Sequence, residues 1–258
     1  MATLITGASA GLGEGFARAL AADRHDLVLT ARRVDRLETL AAELRAVHGV
    51  TVHVFAADLA DRAAPDRLIA DIATAGLVVD TLINNAGFGA RGAFEALPIA
   101  AQLGQIDVNC RALVALSHAV IPQMVANRGG AILNIASTAA FQPGPWMAVY
   151  YATKAFVLSF SEALHEELKS QGIRVCALCP GPTRTEFADV AGMGDSDLFK
   201  RLASSADAVV ADGLAALKAN QAVKISGAMN SVMANSIRFT PRALARRIAG
   251  SLQKVRQA

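Results

Sequence analysis

The stretch ATLITGASAGLGEGFARALAA, residues 2–22, decides the fold. Five β-prone residues run into a turn that carries Gly7, Gly11 and Gly13 in the spacing G-x-x-x-G-x-G, and the turn opens directly onto a helix-forming run. Glycines let backbone N–H groups approach a ligand closely, and a helix N-terminus attracts an anion. A glycine-rich turn between the first strand and the first helix therefore points to the pyrophosphate of a dinucleotide. Tight strand-to-helix turns also use glycine for steric reasons, so the turn alone does not establish this.

Outward from it the same unit repeats. DLVLT (26–30), TVHVFAA (51–57), VVDTLIN (78–84), AILNIAS (131–137) and IRVCALC (173–179) are short apolar runs, and helical patterns at 33–48, 61–75, 98–126 and 149–171 separate them. Strands alternating with longer helices mean βαβ units and a parallel sheet covered on both faces. Right-handed crossovers leave the three-layer, doubly wound α/β sheet as the expected topology. No internal repeat or low-complexity linker divides the 258 residues, so one domain over 1–258 is expected.

After Pro180 the pattern loosens. Residues 182–222 mix glycine, acidic residues and a short alanine-rich helix beyond the carboxyl end of a strand, the place where open α/β sheets bind ligands. This segment is expected to form a substrate lid. Residues 228–258 are expected to form C-terminal helices, the last a solvated one with a basic face.

Composition narrows the function. With 53% hydrophobic and 18% charged residues the chain can bury a large core, and its net charge of +3 is spread through the sequence, which disfavours a nucleic-acid partner. No apolar run approaches the roughly 20 residues that span a bilayer, and the opening MATLITGAS lacks a signal-peptide pattern, so a cytoplasmic protein without stable membrane insertion is expected. Three cysteines make no disulfide framework. Cys176 and Cys179 sit three apart on a strand and point to opposite faces, so neither a disulfide nor a shared metal fits, and no metal site is expected.

Two local features carry chemistry. The second strand ends at LTARR, where NAD-binding folds place an acidic residue on the ribose hydroxyls; here Arg32 and Arg33 stand instead. A guanidinium can pair a 2′-phosphate, which favours NADP over NAD. In AVYYATKAFVLSF (148–160), Tyr150 and Tyr151 lie four and three residues before Lys154. A tyrosine hydroxyl ionises near pH 10 and works as an acid or base at neutral pH only with help, such as a cation one helical turn away. Both spacings make helix-surface neighbours, so periodicity does not choose between them.

Taken in order, TGASAGLG, the NNAG at 84–87, the asparagine of VNCRAL, Ser137 ending the fifth strand, a Tyr-x-x-x-Lys and PGPTRT resemble the short-chain dehydrogenase/reductase family over residues 2–186. The resemblance implies a Rossmann fold and selects Tyr150, four before the lysine, as general acid and base, with Tyr151 left to packing. It implies that Lys154 lowers the tyrosine's pKa and holds the nicotinamide ribose, that Ser137 binds the substrate oxygen, and that Asn109 anchors a water relay to the lysine. Gly7, Ser9, Gly11, Leu12 and Gly13 would hold the pyrophosphate side of the cofactor. Asp58 would contact the adenine, although a helix N-cap is an equally good local reason for it. Asn85, Ala86 and Gly87 would line the adenosine side, and Pro180, Gly181, Thr183 and Thr185 the nicotinamide. Ala10 stands where some NADP-dependent members carry a basic residue, so the phosphate reading rests on Arg32 and Arg33.

The implied activity is NADP-dependent interconversion of an alcohol and a ketone or aldehyde. A silent nucleotide-sensing or scaffold protein and an epimerase or dehydratase are the alternatives. The implied partner is a small carbonyl or alcohol substrate. Residues 88–96, Phe141, Trp146 and the 186–222 segment are expected to wall a largely apolar pocket whose only conceivable carboxylate clamps are Arg91 and Arg184. The resemblance implies a homodimer or homotetramer, because the family commonly pairs the helices corresponding to 98–126 and 149–171, and the length and apolar richness of those segments agree with it.

Overall fold

The structure, a computed structural model, describes residues 1–187 and 203–253. The described residues build a seven-stranded sheet in the order β3-β2-β1-β4-β5-β6-β7, parallel throughout. Its strands are β1 Ala2–Thr6, β2 Leu27–Ala31, β3 Val52–Ala56, β4 Val79–Asn84, β5 Gly130–Ile135, β6 Ile173–Cys179 and β7 Val223–Ile225. The chain grows outward from β1 in one direction, then returns to β1's other side with β4. Between β1 and β4 the carboxyl ends diverge and leave the crevice in which doubly wound sheets bind ligands.

Alternating strand residues face opposite layers. Ile5, Leu29, Ile83, Leu133 and Leu178 pack under α1 (Gly11–Ala22), α2 (Val34–His48) and α7 (Ala206–Lys218). Leu4, Val28, Leu82, Ile132 and Val175 pack under α3 (Ala64–Thr74), α5 (Leu113–Ala126) and α6 (Ala148–Lys169). Cys176 belongs to the first layer and Cys179 to the other side, with Leu113 and Val157; both thiols are free. The strand geometry read from IRVCALC therefore holds.

Four differences from the sequence reading concern the site. First, 98–126 is not one regular helix: α4 (Ile99–Ile106) passes into a π-helical turn, Asp107–Ala112, before α5. By length and composition Ile99–Ala126 could cross a bilayer, but Leu113, Leu116, Val120 and Met124 on it are buried against the sheet. Second, Asp58 is not a helix cap: α3 begins six residues later, and Asp58 Oδ1 accepts from Ala60 N–H at 3.1 Å in a local turn. Third, within the expected lid at 182–222, α7 is a core helix, with Val209, Val210, Ala216 and Leu217 buried beneath the sheet; residues 188–202 of that segment lie outside the described residues. Fourth, α8 (Ala228–Ser236) and α9 (Arg242–Gln253) do not simply lie in solvent but close one side of the main cavity.

Beneath the crevice a buried polar chain ties the layers together. Asn84 Nδ2 donates to Asn134 Oδ1 at 2.9 Å and Ser117 Oγ at 3.1 Å, and Asn134 Nδ2 donates to Ser161 Oγ at 2.9 Å. Every amide here finds a partner, so β4, β5, α5 and α6 are locked in one register. The first asparagine of NNAG is thus a scaffold residue.

Candidate active site

A cavity of about 790 Å³ runs along the carboxyl ends of the strands, from Arg32 and Arg33 at one end to α8 and α9 at the other. At its first half lies the glycine turn. Gly7 has φ 66, and a Cβ on Gly13 would stand 2.3 Å from the Gly7 carbonyl oxygen, so the helix can begin against the strand only because both positions are glycine. The N-cap of α1 is Ala10, which has no side chain to cap the first-turn N–H groups. Those donors stay open at the crevice, as an anion site requires. Asn85 is spent on the turn: its Nδ2 donates to the Thr6 and Gly7 carbonyls at 2.8 and 3.2 Å. Thr185 lies over the turn, against Gly11, and Asp58, Ala86 and Gly87 line the cavity nearby.

The arginine end already holds a carboxylate. Arg33 donates to Ser9 Oγ at 3.2 Å and pairs with Glu186 at 2.9 Å, while Arg36 pairs with the other oxygen of Glu186 at 2.5 Å. The two guanidinium groups hold Glu186's pKa below the usual glutamate value. Arg32 lines the cavity without a side-chain partner among the described residues. An oxyanion held between two guanidinium groups beside Ser9 is a stand-in for a 2′-phosphate, and it fits that group. Sequence reasoning found Arg33 but missed Arg36, which sits one helical turn further along α2 and becomes a partner only when β6 delivers Glu186.

At the middle of the cavity the remaining predicted residues converge. Tyr150, buried in the first turn of α6, has its ring centroid 5.8 Å from Lys154 Nζ. Lys154 donates to the Ile135 carbonyl at 2.6 Å, and burial lowers its pKa to about 8. Burial pushes the Tyr150 hydroxyl above its ordinary value, and a hydrogen bond to Ser137 pulls it partly back. Ser137 Oγ accepts from Ala139 N–H at 3.1 Å and donates to the Pro180 carbonyl at 3.4 Å, so it caps the short 3-10 turn Thr138–Phe141 while facing the cavity.

Asn109 sits inside the π-turn. Its Nδ2 donates to Phe88 O and Thr153 Oγ1, both at 3.0 Å, and its Oδ1 accepts from Phe88 N–H at 3.1 Å. Thr153 in turn donates to the Tyr150 carbonyl at 2.7 Å. The side chain thus braces the loop after β4 against α6, from within a π-turn that distorts the helix locally.

The far half of the cavity departs from expectation. Phe88 lines it, but Phe141, Trp146, Arg91 and Arg184 do not. Trp146 instead takes φ 69, costly for a bulky residue, and is held there by Gly92 N–H donating to its carbonyl at 2.8 Å. Arg91 Nε donates to the Gln253 carbonyl at 2.9 Å. The walls are Met147, Tyr151 and Phe187 with Asn230, Met233, Ile237, Ile248 and Gln253 from α8, α9 and the turn between them. Nothing in a single sequence announces these C-terminal residues as cavity walls, because they reach the site only through the fold.

A parallel sheet with an anion-receptive glycine turn, a cationic pocket beyond β2 and a half-buried serine beside a buried tyrosine and lysine at one cavity wall defines a dinucleotide-dependent oxidoreductase. Residues 1–194 match the family described as short chain dehydrogenase, and the chain belongs to that family. A short-chain dehydrogenase from Sphingobium yanoikuyae in complex with NADPH is 35% identical, superposes with a TM-score of 0.84, and the match covers 100% of this chain and 98% of that one. The bulky-bulky ketone specific alcohol dehydrogenase from Comamonas testosteroni is 30% identical with a TM-score of 0.78, over 100% and 95% of the two chains. Sulfoacetaldehyde reductase of Chromohalobacter salexigens is 37% identical over 222 residues, 82% of this chain and 83% of that one. The protein is an NAD(P)-dependent oxidoreductase acting on hydroxyl or carbonyl groups.

Proposed function

We propose that the protein is an NADPH-preferring reductase of neutral, bulky ketones. The observation that carries this is the cavity's composition: its charged lining residues, among those described, are Arg32, Arg33, Asp58 and Glu186 at the adenosine end and Lys154 beside Tyr150. Among the described residues the far half offers apolar and neutral polar groups only. Among these residues an anionic substrate such as sulfoacetaldehyde would meet no cation, whereas an apolar ketone gains from burial. The Comamonas relative, whose name gives bulky ketones as its substrates, supports the same reading.

When bound, NADPH would supply the hydride. Tyr150 donates its proton to the carbonyl oxygen; burial keeps the hydroxyl protonated at neutral pH, the form that reduction needs. Ser137 donates a hydrogen bond to the same oxygen as charge develops on it. Lys154 stabilises the tyrosinate left behind and orients the nicotinamide ribose. Asn109, by fixing the loop after β4 and the π-turn, anchors the water relay that returns a proton through Lys154. Gly7, Ser9, Gly11, Leu12 and Gly13 would hold the pyrophosphate, Arg32, Arg33 and Arg36 the 2′-phosphate, Asp58, Asn85, Ala86 and Gly87 the adenosine, and Pro180, Gly181, Thr183 and Thr185 the nicotinamide. Glu186 and Phe187 act as the near edge of a lid.

The assay is NADPH oxidation with a panel that sets bulky neutral ketones against sulfoacetaldehyde and 3-oxo acids. Higher kcat/KM on the anions overturns the substrate class. Tight NADPH binding with no turnover of any carbonyl favours the silent, nucleotide-sensing alternative. We further propose that two copies pair through α4 and α6 in a cytoplasmic dimer or tetramer. Ile99, Leu103 and Ile106 on α4 are exposed, and Phe156 stacks on Phe160 along α6 at 5.9 Å. Light scattering that reports a monomer at micromolar concentration overturns it.

A further inference from the structure

Among the neutral polar side chains that line the cavity, Asn230 takes no part in the proton relay or in holding the cofactor. It sits in the first turn of α8 and is 6% exposed, and Met233 and Ala234, one helical turn further along, line the same wall. Its Nδ2 donates to the Ser226 carbonyl at 2.8 Å. That contact fixes which way the amide faces, because a backbone carbonyl only accepts and the amide oxygen could not take the nitrogen's place. What the amide has left to offer the cavity is Oδ1. This atom accepts no hydrogen bond from any described residue, and it is not among the unpaired polar atoms that are shut off from solvent, so a group in the cavity can reach it.

The amide is held rigidly. Its face lies on Gly181, where a Cβ would stand 2.5 Å from Nδ2 and 2.7 Å from both Cγ and Oδ1, so the two meet only because residue 181 is glycine. Behind it, Ser226 N–H donates to the Cys179 carbonyl at 3.2 Å, Ser226 Oγ donates to Asp212 Oδ2 at 2.6 Å, and Lys224 pairs with Asp212 at 3.2 Å. A polar group locked by packing and by anchored partners is the kind that sets a ligand's orientation in a largely apolar cavity. The chain itself places Asn230 close to the chemistry. Ser137 Oγ donates to the Pro180 carbonyl at 3.4 Å, and Asn230 rests on Gly181, the next residue along. The Cα atoms of neighbouring residues are about 3.8 Å apart, so a ketone whose oxygen meets Ser137 and Tyr150 brings the substituents nearest its carbonyl within reach of Oδ1.

We propose that Asn230 is a specificity residue of the reducing site, and that its Oδ1 accepts a hydrogen bond from a neutral hydroxyl group on the α or β carbon of the ketone. The inference rests on the carbonyl-reductase reading above and narrows it from bulky neutral ketones to hydroxyketones. Oδ1 can only accept. A hydroxyl meets it as a donor, an ether oxygen in the same place does not, and a carboxylate or sulfonate sets oxygen against oxygen. The carboxamide of a nicotinamide also carries neutral N–H groups, and the test separates that source from the substrate.

Two sets of three ketones serve as probes: acetophenone with its α-hydroxy and α-methoxy derivatives, and butan-2-one with its 4-hydroxy and 4-methoxy derivatives. The methoxy member keeps the electron-withdrawing oxygen and lacks the hydrogen, so the hydroxy-over-methoxy ratio of kcat/KM reads donation. In at least one set the wild type favours the hydroxy member by about threefold to tenfold, the worth of a neutral hydrogen bond, and Asn230→Leu and Asn230→Ala each lower the ratio by that factor. A cooperative thermal transition shows which variants are folded, and the alanine variant carries the comparison if the leucine one does not fold. A wild type without preference for the hydroxy member in either set, or folded variants that keep the full preference, overturns the assignment of Asn230 and leaves the reductase standing. For the cofactor, the Kd of NADPH relative to its reduced 3-acetylpyridine analogue, which has no carboxamide N–H, should be the same in wild type and variants. Variants that weaken NADPH alone and leave the hydroxy-over-methoxy ratio unmoved assign Oδ1 to the nicotinamide and overturn the proposal. A wild type that reduces no ketone of either set overturns the reductase reading itself, and the inference falls with it.

Discussion

Replacing Arg33 by alanine tests the cofactor reading most directly, because the structure says what the side chain does before a cofactor arrives. Its guanidinium lies between Ser9 Oγ at 3.2 Å and the Glu186 carboxylate at 2.9 Å, and about two fifths of it is exposed to solvent. An exposed ion pair of this kind contributes little, so exchanging Glu186 for a 2′-phosphate sacrifices little. A charge-assisted hydrogen bond to the phosphate is worth about 1.5 to 3 kcal/mol, or roughly tenfold to a hundredfold in Kd. Solvent screening and the remaining Arg36 put the expected loss near the lower end. Titration of NADPH and NADH, followed by nicotinamide fluorescence, should show the NADPH Kd of Arg33→Ala raised about tenfold and the NADH Kd unchanged within a factor of two. Higher salt should narrow the wild-type preference and leave that of the variant almost unmoved. Glu186→Gln should act in the opposite direction and tighten NADPH by no more than about fivefold, since it removes a competitor whose pairing is weak. Equal losses for both cofactors in Arg33→Ala would refute the reasoning: the arginine would then be supporting the glycine turn through Ser9 and not reading a phosphate.

Further outcomes follow from the same geometry. Tyr150→Phe should lower turnover by roughly 10² to 10⁴ while leaving NADPH binding intact, as measured by steady-state rates beside a cofactor titration, whereas Tyr151→Phe remains an active reductase. If Tyr151→Phe is the inactive one, the proton donor has been assigned one residue too early. Lys154 has its pKa lowered from 10.5 to about 8 on folding, so between those values the unfolded chain holds a proton that the folded chain has lost. The resulting penalty is fully present below pH 8 and disappears as the pH rises to 10.5; relative to Lys154→Met, the cofactor-free wild type should gain about 3 kcal/mol across that window in urea unfolding. The thiols of Cys110, Cys176 and Cys179, pushed up to about 11, 12 and 12, have the opposite effect and are present in both proteins, so the comparison removes all but the coupling of Cys110 and Cys179 to Lys154. Asn134→Ala leaves Asn84 and Ser161 without their partner in the buried chain and should cost about 1 to 3 kcal/mol in the same measurement with little change in KM.

How much of this was legible in the sequence depends on how far each feature reaches along the chain. The glycine turn, the strand-helix alternation and the presence of a tyrosine one helical turn before Lys154 are local, and each could be read because its partners lie within a few residues; the choice of Tyr150 over Tyr151 came only through family resemblance. Ser137 and Asn109 were legible only through family resemblance. Ser137 is distant in sequence from Tyr150, and the effect of Asn109 on its helix, a π-turn, depends on Phe88 and Thr153, which the fold brings to it. Asp58 shows the reverse error. A local rule offered a helix cap, but the chain spends the aspartate on a turn before α3 begins. Arg36 and Gln253 were not legible at all: the first is one of several exposed arginines until Glu186 arrives 150 residues later, and the second is an ordinary polar residue near a basic C-terminus.

That division has a functional counterpart. The residues that conduct the chemistry sit on β5, α6 and the glycine turn, elements locked by the buried asparagine chain and by strands paired on both sides. The residues that face the substrate's remote arm come from α8 and α9, which pack on the rest of the molecule through small residues such as Ala234, Ala245 and Ala249. Small side chains at a contact bury little area each, so that cover is held less firmly than the sheet and can be exchanged without disturbing Tyr150 or Lys154. One catalytic frame can therefore serve different carbonyl compounds in different relatives. In this chain the substrate should be read from the last thirty residues or so, and not from the family motif.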